Sequence, residues 1–270
     1  MKAKNIVFKC LITLIIVLSI ISLGSCNKQD NNNTPKEEEI TIEKETYNIL
    51  EGTIYETPVY IFRSSVAGPR LFIMGGTHGD EVAGWKTGLE LLKKKDWHGT
   101  VMLIPQCNIL ADQLVQRYPG AKAGGNYNGI TYQDLNRNFP GSADGTITQQ
   151  IAYAISQEVI KFNPEYAIDL HESLANASQG RVGETLIYGN KKSALLAADI
   201  TADFNEAYIK EGEHTFNPDT NPPSGSFNNY FSTTLDIHVF TIETNRNLEE
   251  SRRIEQQLQL LSVMFDYFWN

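Results

Sequence analysis

A glycine-rich segment, GGTHGDE, carries two residue types that bind metal ions in proteins. His78 and Glu81 lie three residues apart in it, after an apolar run and before a helical pattern. One helical turn or a tight loop can direct both side chains to one point, and imidazole and carboxylate are both good zinc ligands. The flanking glycines would allow the close backbone approach that a crowded metal site requires. A surface histidine at the start of a helix is the alternative interpretation.

A third ligand could come from the segment DLHE, which ends an apolar run. His171 in this segment would be displayed at the end of a strand, and Asp169 or a backbone carbonyl could hold its other ring nitrogen. A structural histidine is the alternative. The remaining histidines have no acidic residue at ligand spacing on a strand-to-helix junction and are predicted to be structural; they are His98, His214 and His238.

Two further segments contain charged residues in unusual positions. In DLNRNFP, Arg137 stands beside Asn136 in a long loop, where a guanidinium could grip a carboxylate with two hydrogen bonds. An arginine that only ties its own loop together is the alternative. In FTIET, Glu243 ends a strongly apolar strand, where a carboxylate is costly unless it is paired, hydrated or near a metal. Such surroundings could raise its pKa towards that of a general base, and a helix-capping acid is the alternative.

The elements that must position these residues alternate along the chain. Apolar runs predict strands at 57–63, 70–75, 100–105, 166–170, 185–188 and 238–242. Helical spacing predicts helices at 81–95, 146–162, 193–210 and 248–267, with long loops at 120–145 and 217–226. This alternation predicts an α/β fold in a single domain, with a mixed, largely parallel central sheet and helices on both faces. Sites in such sheets gather at the carboxyl ends of the strands.

The motifs HxxE, DLNRNFPG, DLHE and FTIE, in this order, resemble the zinc carboxypeptidase superfamily. Within it, GGTHGDE and the spacing from Asn108 through Arg117 and Tyr118 to DLNR are most similar to the succinylglutamate desuccinylase/aspartoacylase branch. The resemblance covers roughly residues 70–265.

The resemblance implies a role for each matched residue. The implied ligands of one Zn²⁺ are His78, Glu81 and His171. Glu243 would act as general base and acid, Arg117 would polarise the scissile carbonyl and stabilise the oxyanion, and Asn136 with Arg137 would bind a substrate carboxylate. Three protein ligands leave a zinc position for water, whose pKa the metal lowers. The implied activity is hydrolysis of an amide bond next to a free carboxylate, by an N-acyl-amino-acid deacylase or a carboxypeptidase.

The match departs from the family pattern in two places. Carboxypeptidases of this superfamily have a substrate-side tyrosine in a loop before the base, whereas residues 215–226 contain none and Tyr230 lies nearby. Aspartoacylases have an additional C-terminal β-domain and an arginine shortly before the base; this chain ends in a helix and has no arginine between Arg181 and Arg246. The resemblance therefore does not extend to N-acetylaspartate or succinylglutamate as the substrate. Two alternatives are a carboxypeptidase acting on cell-wall stem peptides and a non-catalytic carboxylate-binding lipoprotein on the same scaffold.

The N-terminal residues predict export. Residues 1–9 are basic, and residues 10–23 are uncharged and apolar, shorter than the about 20 residues of a membrane span and typical of a signal peptide. The following LGSC resembles the bacterial lipoprotein box, which implies cleavage before Cys26, lipidation of its thiol and anchoring to the bacterial cell membrane. We thus expect a signal peptide at 1–25, a lipidated cysteine and flexible tether at 26–39, and a zinc hydrolase domain at 40–270. An ordinary signal peptide is the alternative.

Charge and the missing motifs exclude other classes. The net charge is -9, and such a surface repels phosphate backbones, so we expect no nucleic-acid partner. The chain has no GxSxG elbow, phosphate-binding P-loop or CxxC pair. Beyond the N-terminal segment only Cys107 remains, in a strand-like run, and it is predicted to be a buried small hydrophobe. The expected partner is a small carboxylate-bearing amide or peptide substrate.

Overall fold

Eight strands form a central sheet in the computed structural model, which describes residues 39–175 and 182–270. Its strands are β1 (Ile42–Ile49), β2 (Thr57–Ser64), β3 (Arg70–Gly75), β4 (Thr100–Ile104), β7 (Tyr166–Ser173), β8 (Thr185–Tyr188), β9 (Asn217–Asp219) and β10 (His238–Asn245). The short strands β5 (Asn126–Tyr127) and β6 (Ile130–Thr131) pair with each other in a separate hairpin. The helices are α1 (Val82–Leu91), α2 (Ile109–Leu114), α3 (Ile147–Phe162), α4 (Ala194–Tyr208), α5 (Phe227–Thr234) and α6 (Glu250–Trp269).

The order of the strands is β1-β2-β4-β3-β7-β10-β8-β9. The four central strands, β4, β3, β7 and β10, are parallel, whereas β1, β2 and β8 pair antiparallel with their inner neighbours. The central strands are continuous apolar runs because both faces of the sheet are covered. The predicted α/β class, with a mixed and largely parallel sheet in a single domain, is confirmed.

Alternating side chains of each strand supply two separate hydrophobic cores. On β3, Phe72 and Met74 face one core, which also contains residues of α3 and α5. Leu71 and Ile73 face the other, which contains residues of α1, α4 and α6. Helices therefore cover both faces, as the alternation of strand and helix patterns predicted.

The elements that the sequence did not predict are short or lack an apolar pattern. β9 consists of three exposed residues and pairs only with β8 at the edge of the sheet, where proline is tolerated. α5 starts at Ser226, whose side chain accepts a hydrogen bond from the backbone N–H of Asn229. β7 is three residues longer than predicted, so that His171 lies inside the strand rather than after it.

The predicted signal peptide, the lipidated Cys26 and most of the tether lie outside the described residues, and their assignment stays a prediction. Among the described residues, none of the helices combines the length and the apolar character that crossing a bilayer requires.

We expect Phe240→Ala to destabilise the fold strongly. Its ring in β10 is fully buried in the core beneath α4 and α6, and deleting a buried phenylalanine side chain costs about 3–5 kcal/mol. Urea denaturation followed by circular dichroism measures the change in the free energy of unfolding. The matched control is Leu195→Ala, at a residue that is 80% exposed, where a change within about 0.5 kcal/mol is expected. Equal effects at the two positions would contradict this core assignment.

Candidate active site

The carboxyl ends of the parallel strands bring the predicted chemistry to one edge of the sheet. His171 in β7 and Glu243 in β10 are register partners on neighbouring strands. His78 and Glu81 lie in the loop between β3 and α1. Because β3 is the other neighbour of β7, this loop emerges beside His171.

Two glycines allow the loop to lie where it does. A Cβ atom at Gly79 would lie 2.0 Å from the carbonyl oxygen of Ala111, so a larger residue would force the backbone apart. Gly76 has a φ of +79°, a conformation that costs other residues strain. The close backbone approach that the sequence suggested for this segment is thus present.

His78, Glu81 and His171 converge on one another. The Nδ1 atom of His78 lies 2.8 Å from Oε1 of Glu81, and Nδ1 of His171 lies 2.6 Å from Oε2 of the same carboxylate. The imidazole centroids are 5.1 Å apart, and one ligand atom from each of the three residues lies within 4.8 Å of the other two. All three side chains are buried, with at most 3% of each residue exposed. This is the arrangement that the proposed metal ligands require.

The outer nitrogen of each imidazole is held by a carboxylate. His78 Nε2 lies 3.0 Å from Oδ1 of Asp134, and His171 Nε2 lies 2.8 Å from Oδ2 of Asp169. A proton on each Nε2 leaves Nδ1 free to bind a metal, and such carboxylate partners are typical of metal-binding histidines. Asp169, one of the partners predicted for His171, makes that contact. Asp134 was not predicted to be part of the site, although the ring of His78 also needs an acceptor.

The charges in this cluster compensate one another. Burial alone would raise the pKa of Glu81, but the two histidines beside it outweigh burial and lower it. Burial likewise disfavours the charged form of His171, but Asp169 and Glu81 outweigh burial and raise its pKa. A buried carboxylate between two imidazoles requires positive charge, which ring protons or a shared cation can supply. Two imidazole nitrogens and a carboxylate match the donors that zinc prefers.

Glu243 brings a further carboxylate to this edge. It is partly buried in β10, on the same face of the sheet as His171. Removal from water raises its pKa to about 7, and the positive charge of His171 opposes that shift. A carboxyl group with such a pKa can both accept and donate a proton near neutral pH. The geometry thus favours the general-base interpretation over the helix-capping alternative.

Arg117 reaches the cluster from the loop after α2. Its guanidinium donates from NH1 to Oε1 of Glu81 over 2.7 Å and from Nε to the hydroxyl of Tyr118 over 2.9 Å. The Tyr118 hydroxyl in turn donates to Oδ2 of Asp134 over 3.1 Å. The structure therefore places Arg117 at the site, and Tyr118 connects it to the acid that orients His78.

Asn136 lies at the edge of the cluster, whereas Arg137 is exposed. The Nδ2 atom of Asn136 lies 3.4 Å from Nε2 of His171, and its side-chain oxygen accepts a hydrogen bond from the backbone N–H of Phe227. The Arg137 guanidinium donates to the carbonyl of Asn136 over 2.6 Å. This contact matches the loop-tying alternative, and the exposed guanidinium keeps further donors for a ligand.

The remaining candidates lie away from the cluster. Tyr230 on α5 packs its ring against Phe231 in the first core. His98 stacks on Trp269, and His238 contacts Ser193 by its Nδ1 atom. Structural roles for these two histidines agree with their prediction.

Comparisons with known proteins identify one enzyme family that this chain resembles. Residues 67–259 match the family model of the succinylglutamate desuccinylase/aspartoacylase catalytic domain. A curated relative, the N-alpha-acetyl-L-2,4-diaminobutyric acid deacetylase of Halomonas elongata, is 31% identical over 107 residues, which are 38% of this chain and 28% of that protein. The chain thus matches less than a third of that relative's length.

Two solved structures have the same fold. A succinylglutamate desuccinylase from Silicibacter sp. TM1040 aligns with a TM-score of 0.62 and 18% identity, over 87% of this chain and 69% of that chain. Csd4 of Helicobacter pylori, a D,L-carboxypeptidase solved in an mDAP-bound form, aligns with a TM-score of 0.63 and 16% identity, over 74% of this chain and 51% of that chain. At these identities the likeness shows the fold alone.

If the cluster binds zinc, Asp134→Asn should weaken that binding by about 10- to 100-fold, because the carboxylate that fixes the ring of His78 is lost. Titration of the purified protein against a chromophoric zinc chelator measures the dissociation constant. The control is Asp144→Asn, at an exposed residue of the same loop region, which should leave zinc affinity unchanged. Wild-type affinity in Asp134→Asn would show that this carboxylate does not support the metal site.

Proposed function

Because the chain belongs to the succinylglutamate desuccinylase/aspartoacylase family, we propose that it is a zinc-dependent hydrolase that cleaves an amide bond next to a free carboxylate. One observation carries the proposal: two buried histidines and a buried glutamate converge beside a second carboxylate whose pKa is raised to about 7. A metal site and a general base side by side are the two parts that hydrolysis by an activated water requires.

The metal ligands in this proposal are His78, Glu81 and His171. Their donor atoms, their burial and the carboxylates behind both imidazoles fit Zn²⁺. When bound, zinc supplies a Lewis acid and lowers the pKa of a coordinated water towards about 7.

Glu243 moves the proton in the proposed reaction. Its carboxylate takes a proton from the attacking water and returns it to the leaving amine. The position of Glu243 on β10, directly beside His171 on β7, supports this role because both strands are rigid parts of the sheet. A base whose pKa lies near 7 exchanges protons with the least loss of driving force near neutral pH.

Two arginines and an amide are proposed to contact the substrate. Arg117, at the cluster, would stabilise the negative charge that develops on the carbonyl oxygen, since a partly exposed guanidinium can be reached by the substrate and is an effective donor to an oxyanion. Asn136 at the edge of the cluster and Arg137 at the surface would bind the substrate carboxylate. Arg137 lies next to Asn136 and is exposed, so a ligand can reach it.

The proposed substrate is an N-acylated amino acid or a short peptide with a free carboxylate. The deacetylase of Halomonas elongata is a precedent for the first class, and Csd4 of Helicobacter pylori, a D,L-carboxypeptidase that shares the fold, is a precedent for the second. Export and lipid anchoring at Cys26, proposed from residues 1–39, would place the protein at the bacterial surface. That location would favour a peptide substrate over an acyl-amino acid. A screen of acyl-amino acids, C-terminal dipeptides and muropeptides, with and without chelator, tests both classes.

Glu243→Gln should lower kcat by about 10²- to 10⁴-fold, because the amide cannot take up the proton. Zinc affinity should stay within a factor of a few of the wild type, since Glu243 is not a proposed ligand. The assay is steady-state hydrolysis of the best substrate of the screen, with bound zinc measured in parallel. Glu206→Gln, at an exposed position on α4, is the control with full activity.

Two outcomes would contradict the proposal. Unchanged turnover in Glu243→Gln would remove Glu243 from the mechanism. Binding of carboxylated ligands by the wild type without metal-dependent turnover would instead identify a non-catalytic carboxylate-binding protein.

Arg137→Met should raise KM by about 10- to 100-fold with little change in kcat, because a charge-assisted hydrogen bond to the substrate carboxylate is lost. For a substrate whose carboxylate is replaced by an amide, the KM of Arg137→Met should equal that of the wild type. The control is Arg70→Met, at an exposed arginine that begins β3 and so lies at the opposite end of the parallel strands from the site. An unchanged KM for the carboxylate substrate would show that Arg137 does not bind the substrate and only contacts its own loop.

A further inference from the structure

Arg246 is a partly buried arginine at the site to which the proposed mechanism gives no role. It follows Glu243 by three residues, directly after the end of β10. Its backbone N–H donates to the carbonyl of Ser173 at the end of β7, over 3.0 Å. The start of its side chain is therefore fixed to the two strands that carry His171 and Glu243.

The guanidinium of Arg246 reaches the loop that carries the other two proposed ligands. Its NH1 donates to Oδ2 of Asp80 over 3.0 Å, and its NH2 lies 3.7 Å from Oε1 of Glu81. Asp80 stands between His78 and Glu81 in the chain. Arg246 thus connects the loop of the proposed metal ligands with the ends of two strands.

The loop has little regular structure to fix Glu81. Glu81 has φ −92° and ψ 67°, outside the helical region, and its side chain does not cap α1. Its carboxylate oxygens accept hydrogen bonds from Arg117 and from the backbone N–H of Glu172. A displacement of this loop relative to β7 would separate Glu81 from His171, so a tie between the loop and the strands has a direct effect on the ligand set.

The burial of Arg246 argues against direct contact with the substrate. Its side chain is 16% exposed, and its Nε and NH2 atoms are buried without a hydrogen-bond partner among the described residues. A substrate carboxylate cannot reach those atoms, and NH1 is occupied by Asp80. The charge therefore acts inside the protein, on Asp80 and Glu81.

We propose that Arg246 is a positioning residue, which holds Glu81 in its ligand geometry by tying Asp80 and the metal-binding loop to the ends of β7 and β10. This inference rests on the proposed function, because it assumes that the cluster binds zinc. Two effects of the guanidinium oppose each other: its charge repels a nearby cation, whereas its fixed contacts pre-organise the carboxylate. We expect the second effect to be the larger one, because the contact to Asp80 and the backbone hydrogen bond to Ser173 fix the arginine at both ends.

Zinc affinity is the first test, measured by competition with a chromophoric chelator and accompanied by thermal unfolding. Arg246→Met should weaken zinc binding by about 10- to 100-fold. Asp80→Asn, which keeps the shape of the Asp80 side chain and removes its charge, should also weaken zinc binding. The double variant should lose no more than the stronger single variant, because both act through one contact. Arg246→Lys should not restore full affinity, since one ammonium cannot reproduce the two-sided guanidinium contact.

Arg252→Met is the matched control. Arg252 is also a buried arginine paired with an acid, Glu213, but it lies on α6 away from the site. This variant should lower the melting temperature without changing zinc affinity, which separates a loss of stability from a loss of positioning. Should Arg246→Met fail to fold, Asp80→Asn carries the test.

Steady-state kinetics at saturating zinc distinguishes positioning from substrate binding. KM should equal that of the wild type in Arg246→Met, whereas an arginine that bound substrate would raise it. Zinc affinity that is unchanged or tighter in both Arg246→Met and Asp80→Asn, or a raised KM, overturns the inference and leaves the proposed function standing. A wild-type protein that binds no zinc overturns both.

Discussion

The carboxylate of Glu81 is almost fully buried between two imidazole rings and beside two guanidinium groups. A lone carboxylate in such a place would be protonated, because burial disfavours its charged form. Here the surrounding positive charge lowers its pKa instead. The rest of the site can be understood as the set of contacts that keeps this one charged group ionised and in place.

The parallel sheet explains how such distant residues meet. Parallel strands end at the same edge, so the ends of β3, β7 and β10 present the loop of Glu81, the ring of His171 and the carboxyl of Glu243 side by side. The hydrophobic cores on both faces hold those strands in register. α6 adds a contact from behind: Gln257 donates to the carbonyl of His171 over 3.0 Å.

Sequence reasoning found the parts that are encoded locally. The apolar runs predicted β2, β3, β4, β7, β8 and β10. Ligand spacing and local motifs selected His78, Glu81, His171 and Glu243. Asp134 and Arg246 were missed as members of the site, since their partners lie 56 and 166 residues away along the chain. A local pattern contains no information about those distances, and only the fold shows which acid faces which ring.

Arg117 and Arg246 contact the same carboxylate but differ in exposure and in how they are anchored. Both approach Oε1 of Glu81, but Arg117 comes from a loop, is about a third exposed (36%) and makes the shorter contact of 2.7 Å. Arg246 is anchored through its backbone to β7, is less exposed and stays 3.7 Å away. An arginine that stabilises charge developing on a substrate must be mobile and accessible to that substrate. An arginine that holds a metal ligand in place needs neither property. In the proposed mechanism the two arginines would therefore divide the tasks of transition-state stabilisation and support, although they carry the same charge towards the same atom.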